Sequence, residues 1–173
     1  MSFPLPIETD RLLIRPFVPD ADCEQMLGIY DDREVMHFIP GGALAGVAAV
    51  RSNLERYANT QRRLGFSSWA VVARESELLI GDVGFGIFEP TGDIELGYTL
   101  GRQYWGRGYA TEAARACLTT ALAHLAPPRI IAVVDEQNDA SRRVAQRIGM
   151  AQLETLEAHG RPHALFATGS DLG

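Results

Sequence analysis

The most regular hydrophobic pattern in the chain lies between residues 94 and 125. From Ile94 to Leu100 apolar and polar residues alternate, which predicts a strand with one buried face. A turn containing Gly106 and Gly108 follows, and apolar residues then recur at three- and four-residue spacing as far as Leu125. This spacing predicts a helix with one apolar stripe. The stretch therefore reads as a strand, a glycine turn and a helix in direct succession.

The same criteria predict the elements on either side of this stretch. Residues 130–134 are apolar and mostly β-branched, which is typical of a strand covered on both faces. Because a helix separates this strand from the one at 94–100, we expect the two to be parallel and joined by a right-handed crossover. Short turns around 75–77 and 90–93 predict antiparallel hairpins. The remaining predicted elements are a strand over 7–17, helices over about 20–30, 47–63 and 139–148, and strands over 66–73, 78–88, 151–156 and 161–168.

These elements predict a single α/β (α+β) domain over residues 1–173, with a mixed sheet flanked by helices. At its centre, the glycine turn leads directly into a helix. Backbone N–H groups at a helix N-terminus attract anions, most often phosphate. The sequence therefore predicts an anion site at Gly106 and Gly108.

Composition limits the kinds of partner. The formal net charge of −6 argues against nucleic acid as a main partner. We find neither an apolar run long enough for a membrane span nor a signal pattern, so we expect a cytoplasmic protein without a membrane partner. Cys23 and Cys117 lie far apart and suggest no metal site, and Cys117 falls on the apolar helical stripe, where a buried thiol is expected.

Five sequence blocks, taken in order, resemble the GNAT family of N-acetyltransferases, and within it the branch that acetylates the N-termini of ribosomal proteins. The resemblance covers nearly the whole chain. The family's phosphate-turn pattern, Arg/Gln-x-x-Gly-x-Gly/Ala, is met by Gln103, Gly106 and Gly108. The blocks are ETDRLLIRPF at 8–17, IGDVGF at 80–85, IELGYTL at 94–100, QYWGRGYATEA at 103–113 and NDASRRVAQRIGM at 138–150.

The resemblance implies the GNAT fold, a mostly antiparallel splayed sheet that holds acetyl-coenzyme A between the strands at 94–100 and 130–134. Backbone groups of Tyr98, Thr99 and Leu100 would contact the pantetheine and the thioester oxygen. Asn138 and Ser141 would contact the pantetheine arm, although Asn138 also reads as an ordinary helix cap. Arg102, Arg107, Arg142 and Arg143 would lie near phosphates or would be solvated surface arginines. The residues expected around the pyrophosphate are Gln103, Trp105, Gly106, Arg107, Gly108, Tyr109, Ala110 and Thr111.

The implied reaction is attack of an amine on the acetyl thioester, without a metal. Glu95 is the candidate base, since relatives often carry a carboxylate on this strand; the alternative is a solvent-facing or ion-paired glutamate. Backbone N–H groups around Leu100 would stabilise the oxyanion. Many relatives protonate the leaving thiolate with a tyrosine where this chain has Ala145, so we name Ser141 as the substitute.

The acceptor side is expected between the first two helices and at the last hairpin. Met36, His37, Phe38 and His163 are the candidate acceptor-binding residues, with packing as the alternative for each. The acceptor would be a peptide N-terminus or a small-molecule amine, and a homodimer is possible by analogy with relatives. A non-catalytic acyl-coenzyme A binding module is the alternative function. A dinucleotide-dependent oxidoreductase is disfavoured, because the glycine turn follows antiparallel hairpins.

Overall fold

The computed structural model describes residues 3–169, in which one mixed sheet is flanked by helices. The sheet order is β1-β2-β3-β4-β5-β6-β8-β7. Its strands are β1 (Ile7–Glu8), β2 (Leu12–Arg15), β3 (Ser68–Ala73), β4 (Leu78–Phe88), β5 (Asp93–Leu100), β6 (Arg129–Asp135), β7 (Ala151–Ala158) and β8 (Arg161–Gly169). The helices are α1 (Pro19–Tyr30), α2 (Val47–Leu64), α3 (Tyr109–His124) and α4 (Asp139–Arg147), with a 3₁₀ turn at Arg102–Tyr104. Within the described residues, no helix combines the length and apolarity needed to cross a membrane.

The first predicted strand, over 7–17, is wrong in one respect. The chain turns back on itself after Glu8, and β1 pairs with β2 as an antiparallel hairpin. Thr9 makes the turn, because its backbone N–H bonds the carbonyl of Leu12 at 2.9 Å and its Oγ1 accepts the N–H of Leu12 at 3.0 Å. A threonine hydroxyl that bonds nearby backbone favours a turn over a continuous ladder.

The sheet separates two apolar layers, as alternation along its strands requires. Leu96 of β5 packs in the same core cluster as Cys117 and Leu118 of α3 and Ala145 of α4. Ala70 and Val72 of β3 face the other way, into a cluster with α1 and α2. Cys117 is wholly buried, as expected from its place on the apolar stripe, and burial raises the pKa of its thiol.

Strands β5 and β6 form the parallel pair that the sequence predicts, but they pair only at their first residues. Ile94 lies opposite Ile130 and Glu95 opposite Ile131. Beyond these residues β5 continues along β4 to Leu100, and β6 continues along β8 to Asp135. The sheet therefore opens into a cleft after Glu95. An opening of this kind leaves backbone N–H and C=O groups of both strands available to a ligand.

Candidate active site

The glycine turn is built as an anion cradle at the start of α3. Gly106 and Gly108 have φ angles of 72° and 78°, a left-handed conformation that favours glycine. Helix α3 begins at Tyr109, and the backbone N–H of Glu112 is the first to bond the preceding turn, to the carbonyl of Gly108 at 3.0 Å. The N–H groups of residues 109–111 have no partner within the helix, as at any helix N-terminus. The predicted phosphate residues Gly106, Arg107, Gly108, Tyr109, Ala110 and Thr111 thus lie together.

Arg11, which the sequence analysis did not select, holds this turn in place. Its Nε donates to Glu112 Oε2 at 2.6 Å, and its Nη1 donates to the carbonyl of Arg107 at 2.8 Å. The same guanidinium lies 4.4 Å from the ring centre of Tyr109. The partners are about a hundred positions apart in sequence, so no local pattern could predict the contact. Arg11 ties the β1–β2 hairpin to the N-terminus of α3.

Glu112 is also bonded by Thr9, whose hydroxyl donates to Oε1 at 2.6 Å. Burial alone would raise the pKa of Glu112, but the hydrogen bonds from Thr9 and Arg11 outweigh it and the pKa is lowered. The carboxylate therefore stays ionised at the positive end of the helix dipole.

Residues 102–105 connect the end of β5 to the glycine turn. The indole N–H of Trp105 donates to the carbonyl of Leu100 at 2.9 Å, while the Trp105 side chain is 48% exposed. Gln103 is exposed in the 3₁₀ turn. Arg102 pairs with Asp32 at 3.0 Å and Glu34 at 2.9 Å. These two carboxylates hold the Arg102 guanidinium, and its contribution to a phosphate site stays a prediction.

Helix α4 forms the other wall of the cleft and carries Asn138 and Ser141 at its start. Asn138 Oδ1 accepts the N–H of Ser141 at 3.1 Å, so this side chain caps the helix. The amide nitrogen of Asn138 and the second lone pair of Oδ1 stay available to a ligand. Arg143 is exposed on α4. Arg142 lies 3.6 Å from Asp139 and is partly committed to that pair.

Tyr98 joins the two walls of the cleft. Its hydroxyl lies 2.9 Å from the carbonyl oxygen of Ser141 and 2.9 Å from Ser141 Oγ. Burial raises the pKa of Tyr98 to about 12, although the hydrogen bond with Ser141 acts in the opposite direction. Ala145, one turn further along α4, is wholly buried in the core. Ser141 of α4 and Tyr98 of β5 thus bring two hydroxyls together where these elements meet.

Glu95 stands where β5 and β6 separate. Its side chain is partly buried and accepts a hydrogen bond from the backbone of Val133 on β6. Burial raises the pKa of Glu95 to about 7, and the Val133 hydrogen bond only partly offsets this effect. A carboxylate with this pKa can take up and release a proton near neutral pH.

The two predicted acceptor segments meet beside the cleft, but not through all the residues expected. The Arg161 guanidinium of β8 lies 5.7 Å from the ring centre of Phe38, and the His37 ring packs edge-on against Phe38. Met36 is 5% exposed and packs with α1 and α2, and His163 is 5% exposed with Nδ1 bonded to the carbonyl of Arg161. The burial of Met36 and His163 favours the packing alternative for both, and their contacts with an acceptor stay a prediction.

Comparison with known proteins places the chain in a family. The model of the acetyltransferase (GNAT) domain matches residues 11–151. An uncharacterised protein of Bacillus subtilis, YkkB, is 30% identical over 161 residues, which cover 91% of this chain and 92% of the relative. The structure of a GNAT-family acetyltransferase from Bacillus anthracis is 26% identical with a TM-score of 0.83, and the match covers 95% of this chain and 98% of that one.

A second structure shares the fold at low identity. It is the microcin C7 self-immunity acetyltransferase MccE in complex with acetyl-CoA and AMP, which is 14% identical with a TM-score of 0.81 over 94% of each chain. The chain described here belongs to the GNAT family of acetyltransferases, and its mixed sheet flanked by helices is the GNAT fold.

Proposed function

We propose that this protein transfers an acetyl group from acetyl-coenzyme A directly to a primary amine. The observation that carries the proposal is the position of Glu95. A carboxylate whose pKa lies near 7 stands at the mouth of the splay between β5 and β6, on the same cleft that ends at the anion cradle of α3.

The cradle supports binding of the pyrophosphate, with donors from the backbone between Gly106 and Thr111. Gln103, Trp105 and Arg107 border this site. The pantetheine arm would run into the cleft along the backbone of Tyr98, Thr99 and Leu100, opposite Asn138 and Ser141. The thioester oxygen needs a hydrogen-bond donor, so the group that Leu100 would offer to it is the backbone N–H, whereas the Leu100 carbonyl accepts the indole N–H of Trp105. Arg143, exposed in the middle of α4, is the cation proposed for the adenosine 3′-phosphate.

The chemistry follows from these positions. Glu95 takes a proton from the acceptor ammonium, directly or through water, and the free amine attacks the acetyl carbon. The carbon–nitrogen bond forms, and the oxyanion is stabilised by backbone N–H donors at the end of β5. The nitrogen gives up its second proton and the carbon–sulfur bond breaks. The Ser141 hydroxyl, supported by Tyr98, stabilises the leaving thiolate, which takes up one proton to become the thiol.

We further propose that the acceptor is a peptide N-terminus, as in the branch whose sequence blocks this chain resembles, or a small-molecule amine. His37 and Phe38 on the segment after α1, with Arg161 on β8, border the route to Glu95. Phe38 and Arg161 bring together two segments distant in sequence, which supports this surface as the acceptor side.

The test is a thiol-release assay with acetyl-coenzyme A and a panel of peptides with different N-termini and small amines. We expect thiol release with one class of amine, and an acetylated product by mass spectrometry. Acetyl-coenzyme A binding by calorimetry without release on any amine would contradict transfer and favour a non-catalytic binding module. Absence of binding would contradict the assignment of the cleft.

A further inference from the structure

A second carboxylate, that of Asp82, is buried on the face of the sheet that α1 covers. Asp82 on β4 is 5% exposed, and the hydroxyl of Tyr30 on α1 donates to its Oδ2 at 2.7 Å. Thr99 of β5 lies directly opposite Asp82 in the β4–β5 ladder, and its hydroxyl is close enough to lower the pKa of this carboxylate. Among the described residues, the groups that act on Asp82 are thus hydroxyls rather than cations. A buried carboxylate without a cation is costly to keep ionised, and such groups concentrate at functional sites.

The hydroxyls form a chain that converges on Asp82. Tyr57 of α2 is hydrogen-bonded to Tyr30 and to Asn53, and Tyr30 is bonded in turn to Asp82. On the opposite strand, Ala70 of β3 lies beside Asp82 and is apolar. Among the described residues around the carboxylate, Tyr30 and Tyr57 are therefore the titratable groups that face it, and burial raises the pKa of both.

Asp82 and Thr99 are on the same face of the sheet as Glu95. Asp82 is directly opposite Thr99 in the β4–β5 ladder. Side chains alternate along β5, so Glu95, Gly97 and Thr99 share one face, whereas Leu96 and Tyr98 pack towards α3 and α4. A Cβ added at Gly97 would meet nothing within 4 Å. An open track therefore runs from Glu95 to Thr99, about 13 Å along the strand.

While the tetrahedral intermediate of the proposed acetyl transfer exists, a second proton acceptor is needed on this track. A primary ammonium loses two protons when it becomes an amide, one before attack and one after the carbon–nitrogen bond has formed. A single carboxylate holds only one of them while the tetrahedral intermediate exists, because the thiolate that can take up a proton forms only when the carbon–sulfur bond breaks.

We propose, on the basis of the proposed acetyl transfer, that Thr99 and Asp82 accept the second proton. The nitrogen of the tetrahedral intermediate gives its proton to Thr99 Oγ1, and Thr99 gives its own hydroxyl proton to Asp82. The carbon–sulfur bond breaks as the carbonyl re-forms, and the sulfur leaves as thiolate. The two protons then rest on Glu95 and Asp82; one is later taken by the thiolate and the other by solvent. Thr99 is the catalytic residue of this pair, and Asp82 acts through it. Burial raises the pKa of Asp82 to about 7, against the effect of its bonds with Tyr30 and Thr99, which suits a group that must release the proton again.

The experiment compares Thr99→Val, Thr99→Ser, Asp82→Asn and the double variant Asp82→Asn with Thr99→Val. The acceptor is the best amine from the thiol-release panel. We expect Thr99→Val to lower kcat by about 10-fold to 100-fold, while the KM for acetyl-coenzyme A stays within about twofold. Thr99→Ser, which keeps the hydroxyl, should retain most of the activity. The double variant should be no slower than the slower single variant, because the two residues act in one step.

The pH dependence separates this role from a structural one. With two carboxylates required in ionised form, log kcat of the wild-type protein should fall with a slope approaching 2 below pH 7, and with a slope of 1 in Thr99→Val or Asp82→Asn. The inference would be overturned if Thr99→Val had the kcat and the pH slope of the wild-type protein. It would also be overturned if Thr99→Ser and Thr99→Val lost kcat equally. Either result would leave the acetyl transfer itself intact. Failure of the wild-type protein to release thiol with any amine would instead overturn the proposed function.

Discussion

The phenolic oxygen of Tyr98 lies at hydrogen-bond distance from both oxygen atoms of Ser141, and this contact joins strand β5 to helix α4 across the cleft. A tyrosine hydroxyl carries one proton, so it can donate to only one of these oxygens at a time. When it donates to Ser141 Oγ, the serine proton is free to point at another acceptor. The pair therefore orients the serine hydroxyl that we propose for the leaving thiolate.

Tyr98→Phe tests this orientation. The loss of one hydrogen bond is worth about 1 kcal/mol, which corresponds to roughly a fivefold fall in kcat. Ser141→Ala should lower kcat at least as much, and the two losses should not add. The measurement is steady-state thiol release together with calorimetric binding of acetyl-coenzyme A, which should change little. Unchanged kcat in Tyr98→Phe would remove the pair from the mechanism.

The glycine turn allows a matched comparison. Gly106 has a φ of 72° and Gly92, in the β4–β5 turn, has a φ of 75°, and a Cβ would meet no atom within 4 Å at either position. Alanine at each should cost about 1–2 kcal/mol of stability, since both force a side chain into the left-handed region. Only Gly106→Ala should weaken acetyl-coenzyme A binding, by about tenfold or more, because the cradle for the pyrophosphate is altered.

Titration calorimetry and thermal unfolding of both variants check this prediction. Equal losses of stability with a selective loss of binding in Gly106→Ala are expected. Equal affinities for acetyl-coenzyme A in the two variants would place the pyrophosphate elsewhere.

Arg11 should matter for ligand binding more than for folding. Its side chain is 45% exposed, so its ion pair with Glu112 contributes little to the free energy of unfolding. Its bond to the carbonyl of Arg107 nevertheless fixes the turn. We expect Arg11→Ala to weaken acetyl-coenzyme A binding about tenfold. Arg74→Ala is the control, because Arg74 is 47% exposed and bonds the carbonyl of Thr9 in the same hairpin. A similar affinity in the two variants would contradict a role for Arg11 at the turn.

The free energy of unfolding should fall as the pH rises from about 4 to about 7. Burial raises the pKa of both Asp82 and Glu95 to about 7, from the ordinary values of 3.8 and 4.5 for these carboxyl groups. In this window the folded state binds more protons than the unfolded state, so folding is favoured at the lower pH. Asp93 acts in the opposite sense, because Arg129 lowers its pKa and the ionised carboxylate stabilises the folded state. That contribution is lost only when the pH falls below this window.

Asp82→Asn should therefore be at least as stable as the wild-type protein at pH 8 and should show a weaker pH dependence between pH 5 and 7. Thermal unfolding at a series of pH values gives the answer. A free energy of unfolding that rises between pH 5 and 7 in the wild-type protein, with no such rise in the variant, would contradict the raised pKa of this carboxylate.

The sequence predicted the parts of the site that are local. The glycine turn before α3, the alternation around Glu95 and the Asn138 cap are patterns within a few residues, and the structure places all three at one cleft. The contacts of Arg11 with Arg107 and of Tyr30 with Asp82 join residues 96 and 52 positions apart. Such contacts depend on how layers pack, which periodicity does not record.

Burial bears on two of the predicted acceptor residues. Met36 is adjacent to His37, and His163 is two residues beyond Arg161, yet both side chains are buried. Sequence periodicity does not show which side chains of an irregular segment such as the one around Met36 face inward. The acceptor contacts of both residues stay a prediction. Arg102 is paired with Asp32 and Glu34, which come from a segment that only the fold brings near.

The central claim is tested most directly by Glu95→Gln, with Glu89→Gln as the control for loss of one negative charge at an exposed position. The measurement is the rate of thiol release at saturating acetyl-coenzyme A and amine, between pH 6 and 9. We predict that Glu95→Gln lowers kcat by about 100-fold or more with nearly unchanged acetyl-coenzyme A affinity, and that Glu89→Gln behaves as the wild-type protein. Equal kcat values for Glu95→Gln and the wild-type protein would contradict the role of Glu95 as the base.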